Sequence, residues 1–427
     1  MAESPESPES PESHILFRQG CCALLASSDE AIAKWQRPYG HKAPPAAEPA
    51  AEAAPDVDVD VAGTKRHRRK QPRGADIENV AGLHDFISEV LLRLSAQSAD
   101  LIARNAFPVS KARPVDGSGR IGRALTEAVS AARGDVSEKR VDCNCRLELV
   151  DMASSVLVNA SKNTSNISVP GGSFELAPQS TAFVADVARW GAAPSLKEKY
   201  DVVLADPPWP SRSAARRKLY KAGDGQPDDG AWRESLLAFD VPGRVDAGKG
   251  AIVAVWVTND QKIEAWVRNV LFPTWNVEYV TTWYWIKVTA KGEPVLPLSK
   301  SAPRKSWEPL IVGVICGEDG GGDDDDLAAL AKSLEAVAWR RCSKSDGDGG
   351  FKGLSTVPRA VGFASVPEAA HSAKPRLDAL LDPCFTGDTP LKQLELFGRR
   401  THSHWTTLGD QALGFVAEEA PPNVDPS

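Results

Sequence analysis

The chain has 427 residues, 42% of them hydrophobic and 25% charged, with a formal net charge of -7. That length suits one large domain with appendages or two domains, and the balance is that of a soluble globular protein. It excludes a uniformly basic nucleic-acid binder, though not a local basic face.

Seven cysteines without a CxxC pair or metal-ligand spacing predict a reducing compartment and no metal site. No apolar run reaches membrane-spanning length, so no membrane association is expected. The opening MAESPESPESPES repeats an acidic Ser-Pro-Glu unit. It lacks the basic and apolar regions of a secretory signal, which predicts an intracellular protein.

Residues 1–75 are expected to be largely disordered: low complexity first, then Ala, Pro and acid rich over 44–61. Within them, 65–73 reads KRHRRKQPR. Such a block serves as a nuclear localisation signal, a phosphate-binding patch or a solvated linker. Over 77–106, Val80, Leu83, Phe86, Ile87, Val90, Leu91 and Leu94 recur at helical spacing. Further helices are expected over 121–132 and 145–161, making 76–170 a small helical N-terminal module.

From Gly172 the texture changes to short apolar runs separated by turns. Strands are predicted over 182–184, 202–205, 251–257, 277–286, 309–314 and 393–397, with helices over 261–271 and 374–381. Strands alternating with helices predict a mostly parallel α/β sheet. Residues 318–350 carry EDGGGDDDD and SDGDGG, the marks of a surface insertion. The main domain is placed at 171–417, with a disordered tail over 418–427.

One motif carries chemistry. Residues 200–209 read YDVVLADPPW, an apolar strand ending in Asp206-Pro207-Pro208-Trp209. Ligands of open α/β sheets gather at the carboxyl ends of strands, so Asp206 is expected at an exposed strand end. The two prolines stiffen the backbone and remove two N–H donors, leaving carbonyls as acceptors. Trp209 offers a flat face for stacking on a base. A carboxylate and a carbonyl together can accept both hydrogens of an exocyclic amine such as adenine N6. The nitrogen lone pair is then aimed at an incoming methyl group, and catalysis is positioning plus electrostatics. The bland reading is a strand followed by a Pro-rich turn.

The stretch 183–413 resembles the adenosine N6-methyltransferases related to the seventy-kilodalton subunit of the mRNA methyltransferase. Within that family it resembles the methyltransferase-like protein four branch. DPPW carries the resemblance, with WVTN at 256–259, LFPTW at 271–275, WYWIK at 283–287, GEPVLPL at 292–298, HSAKP at 371–375, ELFGR at 395–399 and WTTLG at 405–409.

The resemblance implies a Rossmann-like S-adenosylmethionine-dependent methyltransferase fold with permuted motif order, the catalytic strand preceding much of the cofactor site. By resemblance, Asp206 and Pro207, with Pro208, hold the adenine amine and Trp209 lines the base pocket. Cofactor contacts carry over to Asp186, Asp206, Lys374, Glu395, Arg399, Asp410 and Gln411. Lys374 matches a lysine on the methionine carboxylate, as a fixed cation would serve there. At Asp410 the family has Asn.

The segment after the motif, SRSAARRKLYK, places Arg212, Arg216, Arg217 and Lys218 beside the reacting centre, where they would engage phosphates. Asn259 and Lys287 extend this nucleic-acid face. The expected substrate is nucleic acid: RNA first, implied as a nuclear small RNA with 2′-O-methyladenosine, and DNA as the alternative. A non-catalytic nucleic-acid-binding partner on the same fold is the reading of another class. A protein partner is compatible with the sequence but not required by it. The basic block and the resemblance predict nuclear location, with the cytoplasm as the alternative.

Overall fold

The computed structural model describes residues 15–19, 22–26, 82–92, 120–132, 135–153, 155–192, 198–209, 231–289, 291–298, 304–316, 354, 357, 361–367, 373–385, 390–414 and 417–419. The basic block 65–73, the segment 210–230 and the expected insertion 318–350 lie outside them.

The strands are β1 (Ile15–Gln19), β2 (Cys22–Ala26), β3 (Ser137–Arg140), β4 (Cys145–Arg146), β5 (Ser155–Asn159), β6 (Ser165–Val169), β7 (Gly172–Leu176) and β8 (Ser180–Val184). They continue with β9 (Val202–Ala205), β10 (Ala251–Trp256), β11 (Glu278–Lys287), β12 (Trp307–Ile315), β13 (Val361–Ser365), β14 (Gln393–Leu396), β15 (Trp405–Gly409) and β16 (Ala417–Glu419). Twelve form one sheet in the order β1-β2-β13-β11-β12-β10-β9-β14-β15-β8-β5-β3. A smaller sheet runs β16-β7-β6-β4.

At the centre, β8, β15, β14, β9 and β10 are mutually parallel. β12 is antiparallel to both β10 and β11, and β13 is parallel to β11. β12 is therefore the one reversed strand between β8 and β13, and its N-terminal end reaches the carboxyl edge of the others.

Every residue of β9 and β10 is buried. That is why VVLA and AIVAVW are continuous apolar runs: both faces are covered. Alternate residues serve opposite faces. Val203, Ala205, Val253 and Val255 pack with Leu271, Phe272 and Trp275. Val202, Leu204, Ile252 and Ala254 pack with Leu377, Leu380 and Leu381.

The first face is covered by a helix whose α-helical first part, Gln261–Trp266, is capped by Asp260 accepting from the Lys262 N–H at 2.9 Å. It passes through a π-helical turn, Val267–Leu271, into Phe272–Thr274. A third cluster joins Ile121, Leu125 and Val129 of helix Arg120–Ala131 to Leu157, Phe174 and Val184. A helix over 82–92 lays Phe86, Ile87 and Val90 on Ile286, Trp307 and Ala364. It approaches so closely that a Cβ at Gly362 would lie 2.7 Å from a Val90 methyl.

Two expectations are corrected. Residues 145–161 are not one helix: they form β4, a single turn at Leu149–Met152, and β5. The buried run SVLVN is short and β-branched, and such runs read equally as helix or strand until their neighbours are known. Here β5 pairs with β3 and β8, so 137–159 extends the large sheet instead of completing a helical module. The helix expected over 374–381 begins only at Asp378. Pro375 disfavours helical backbone at Lys374, which stays irregular and leads into the site.

Candidate active site

Asp206 follows the last residue of β9, and its N–H donates to the Leu396 carbonyl of neighbouring β14 at 3.1 Å. It is 8% exposed, so the strand end is covered and the expectation of an exposed carboxylate is corrected. The cover is charged. The Lys374 ammonium donates to both Asp206 carboxylate oxygens at 2.9 Å each. Arg399 lies 3.9 Å from one of them.

The same ammonium is 3.5 Å from Glu308 Oε2, while Glu308 Oε1 takes a close bond from Lys287. Asp206, Lys374, Glu308 and Lys287 thus form a chain of alternating charge along the carboxyl edge, fed by β9, the stretch after β13, β12 and β11. Both lysines rest on aromatic faces, Lys374 5.6 Å from the Trp256 ring centre and Lys287 4.7 Å from that of Trp285.

The electrostatics follow from burial and partners. Burial alone would push the Lys374 ammonium down, but the Asp206 and Glu308 carboxylates prevail and raise it. Burial opposes charge on Glu308 too, yet Lys374 and Lys287 hold its carboxyl below the usual range. Glu395 is the contrast. Burial, helped by the Asp206 charge, pushes its carboxyl up to about 8 against the pull of Lys374, Arg399 and Arg400.

A small, solvent-open cleft is lined by Asp206, Ala373, Lys374, Glu395, Phe397, Arg399, Arg400 and His402. Phe397 sits at φ 60°, left-handed backbone that costs a non-glycine residue about 1 kcal/mol or more. At the next position a Cβ on Gly398 would meet the Glu395 carboxylate at 2.8 Å. ELFGR is therefore a tight turn that folds Glu395 and Arg399 into one wall. His402 is pushed down to about 3 by burial and then by Arg376 and Arg400, so it lines the wall as neutral imidazole.

Four residues singled out from sequence, Asp206, Lys374, Glu395 and Arg399, meet in this cleft. Asp410 and Gln411 follow β15, and Asp186 follows β8 next to it. Burial and then the Asp186 charge raise the Asp410 carboxyl. Asp186 itself is exposed and accepts the Ala188 N–H at 2.9 Å.

Pro207 is buried and its carbonyl accepts the Trp209 N–H at 2.8 Å, while Pro208 is half-buried. Trp209 departs from the expected stacking platform. Its ring is buried in the core beside Trp266, and its indole N–H donates to the Trp256 carbonyl at 2.6 Å. Lys287 is likewise no open phosphate contact, since Glu308 holds it. Asn259 is exposed and donates to the Trp307 carbonyl at 2.8 Å. Arg212, Arg216, Arg217 and Lys218 lie outside the described residues.

Sequence reasoning missed Glu308, Phe397, Arg400 and His402. The signal for Glu308 was an acid at the head of the apolar run WEPLIVGVI.

The cleft suits a small zwitterion carrying a ribose. It offers fixed cations for a carboxylate, acids for amino and hydroxyl groups, and an aromatic ring, at the strand edge where such folds bind ligands. A large, mostly parallel sheet with that site at its carboxyl edge is the arrangement of a Rossmann-like α/β fold. Residues 200–320 match the family model MT-A70, and the chain carries an MT-A70 family domain.

The chain is 28% identical over 265 residues to N(6)-adenine-specific methyltransferase METTL4 of Homo sapiens, covering 62% of this chain and 48% of that one. It is 31% identical over 220 residues to N6-methyladenosine RNA methyltransferase MTA1 of Pyricularia oryzae, covering 51% and 48%. It is 30% identical over 240 residues to a DNA N6-methyl methyltransferase of Caenorhabditis elegans, covering 55% and 52%. The chain thus spans about half the length of the curated relatives it matches.

Proposed function

We propose that this chain transfers a methyl group from S-adenosylmethionine to the N6 amino group of adenine in nucleic acid. The observation that carries the reading is Asp206 of a DPPW motif, set at the end of the central strand among Lys374, Arg399 and Glu395. The relatives' names support it.

When bound, the cofactor supplies an activated methyl group on sulfonium sulfur. Lys374 would hold its carboxylate, and Glu395 and Arg399 would lie near its ribose. Asp410 and Gln411 would lie near the ribose, and Asp186 near the adenine or methionine end. Asp206 accepts one amino hydrogen of the target base. The Pro207 carbonyl accepts the other with the lone pair that Trp209 leaves over. The buried, charged setting strengthens each contact relative to water.

The sheet order supports the permuted reading: β14 and β15 come last in the chain yet lie between β8 and β9. RNA is the favoured polymer, with 2′-O-methyladenosine in a nuclear small RNA as the specific target. DNA is the second reading, favoured by the name of the Caenorhabditis elegans relative. Arg212, Arg216, Arg217 and Lys218 would contact phosphates beside the target, and the block 65–73 would direct the chain to the nucleus.

Calorimetry with S-adenosylmethionine tests the reading against a non-catalytic binding partner. Micromolar or tighter binding supports the enzyme. Nucleic-acid binding without cofactor binding would replace it with the partner role.

A further inference from the structure

In the arrangement above, Asp206 has both oxygens committed to one ammonium. Each oxygen keeps a second lone pair, but a cation bridging both draws charge from the carboxylate and weakens it as acceptor of an amino hydrogen. The neighbouring acid offers the release. Glu308 is pinned by Lys287 through Oε1 and presents Oε2 to Lys374 at 3.5 Å, within ion-pair range but beyond a good hydrogen bond.

We infer that Glu308 is a positioning residue: Lys374 has two seats, and it shifts from Asp206 toward Glu308 when Asp206 engages the adenine amine. This rests on the methyl-transfer reading above. Lys287 serves the second seat by fixing one Glu308 oxygen, which leaves the other aimed along the chain. The side chains of Lys287 and Glu308 are only 21% and 23% exposed, so solvent does not replace this pairing cheaply. The alternative is a purely structural charge balance, in which Lys374 never leaves Asp206.

The test uses the full chain with labelled S-adenosylmethionine and paired adenine-containing RNA and DNA oligonucleotides. Glu308→Gln keeps the shape and removes the second seat's charge. Its kcat is expected to fall about tenfold or more, with oligonucleotide KM and calorimetric cofactor Kd within roughly threefold of wild type. Glu308→Asp should recover part of the loss. Lys287→Met should lower kcat in the same direction, and add less than about twofold when placed on Glu308→Gln, because both act through one carboxylate.

Glu308→Gln turning over within about twofold of wild type, while Asp206→Ala is inactive, would overturn the inference and leave the methyltransferase reading standing. A loss confined to cofactor affinity and thermal stability would also overturn it, in favour of charge balance. If Glu308→Gln fails to fold, Lys287→Met decides alone: a kcat loss at unchanged cofactor Kd supports the second seat, and an unchanged kcat overturns it. A wild-type chain that transfers no methyl group and binds no cofactor would overturn both readings together.

Discussion

The Lys374 ammonium lies 2.9 Å from each carboxylate oxygen of Asp206, although 168 positions separate the two in sequence. Both side chains are about nine-tenths buried. The pair is therefore part of the fold as well as of the site. Removing one partner of a buried ion pair strands the other charge. Asp206→Ala is expected to abolish methyl transfer and also to cost about 3 kcal/mol, the lower end for a broken buried pair, because Glu308 still faces Lys374. A thermal scan beside the activity assay checks this. An unchanged midpoint would mean that the pair contributes nothing net.

Trp209 carries a different expectation from the rest of its motif. Its ring is core and its N–H is bonded inward. Trp209→Ala should cost about 3–5 kcal/mol through the cavity it leaves. Trp209→Phe keeps most of the packing and loses the bond to the Trp256 carbonyl, for about 1–2 kcal/mol. Denaturant melts of both separate the two contributions. If Trp209→Ala stayed as stable as wild type while losing substrate affinity, the ring would belong to the base pocket after all.

Glu395 sets a pH dependence. Its carboxyl titrates near 4.5 when unfolded and at about 8 when folded. Between those values the folded state holds the extra proton, so stability falls as pH rises through that window and levels off above it. Glu395→Gln removes the titration. The wild-type midpoint, measured against that of Glu395→Gln, should decline from about pH 5 to about pH 8. Parallel curves would show that Glu395 ionises alike in both states.

The basic segment after the motif makes an electrostatic prediction. Arg216→Glu with Arg217→Glu should weaken oligonucleotide binding and flatten its salt dependence by roughly one to two units of slope, as expected for lost phosphate contacts. Cofactor binding should be unchanged. An equal fall in cofactor affinity would make the segment structural.

Much of the central sheet was legible. β9 and β10 are uninterrupted apolar runs ending in turn residues, and Asp206 stands out as the first charge after one of them. Lys374, Glu395 and Arg399 were placed by motif, and the fold brings them to the same cleft. Less legible was what each side chain does on arrival. An indole reads the same whether it stacks on a base or fills a core, and only the folded chain shows Trp209 turned inward, onto the Trp256 carbonyl and the Trp266 ring. Lys287 read as an open cation because its partner, Glu308, lies on another strand. The strand β5 was read as helix because a five-residue apolar run has no period of its own; pairing with β3 and β8 decided it.

The most direct test is methyl transfer from labelled S-adenosylmethionine to matched RNA and DNA oligonucleotides, with nucleoside mass analysis and Asp206→Ala as control. The account predicts N6-methylated adenosine, stronger on RNA and absent with Asp206→Ala. Product that persists undiminished with Asp206→Ala, or methylation at a position other than N6, would contradict it.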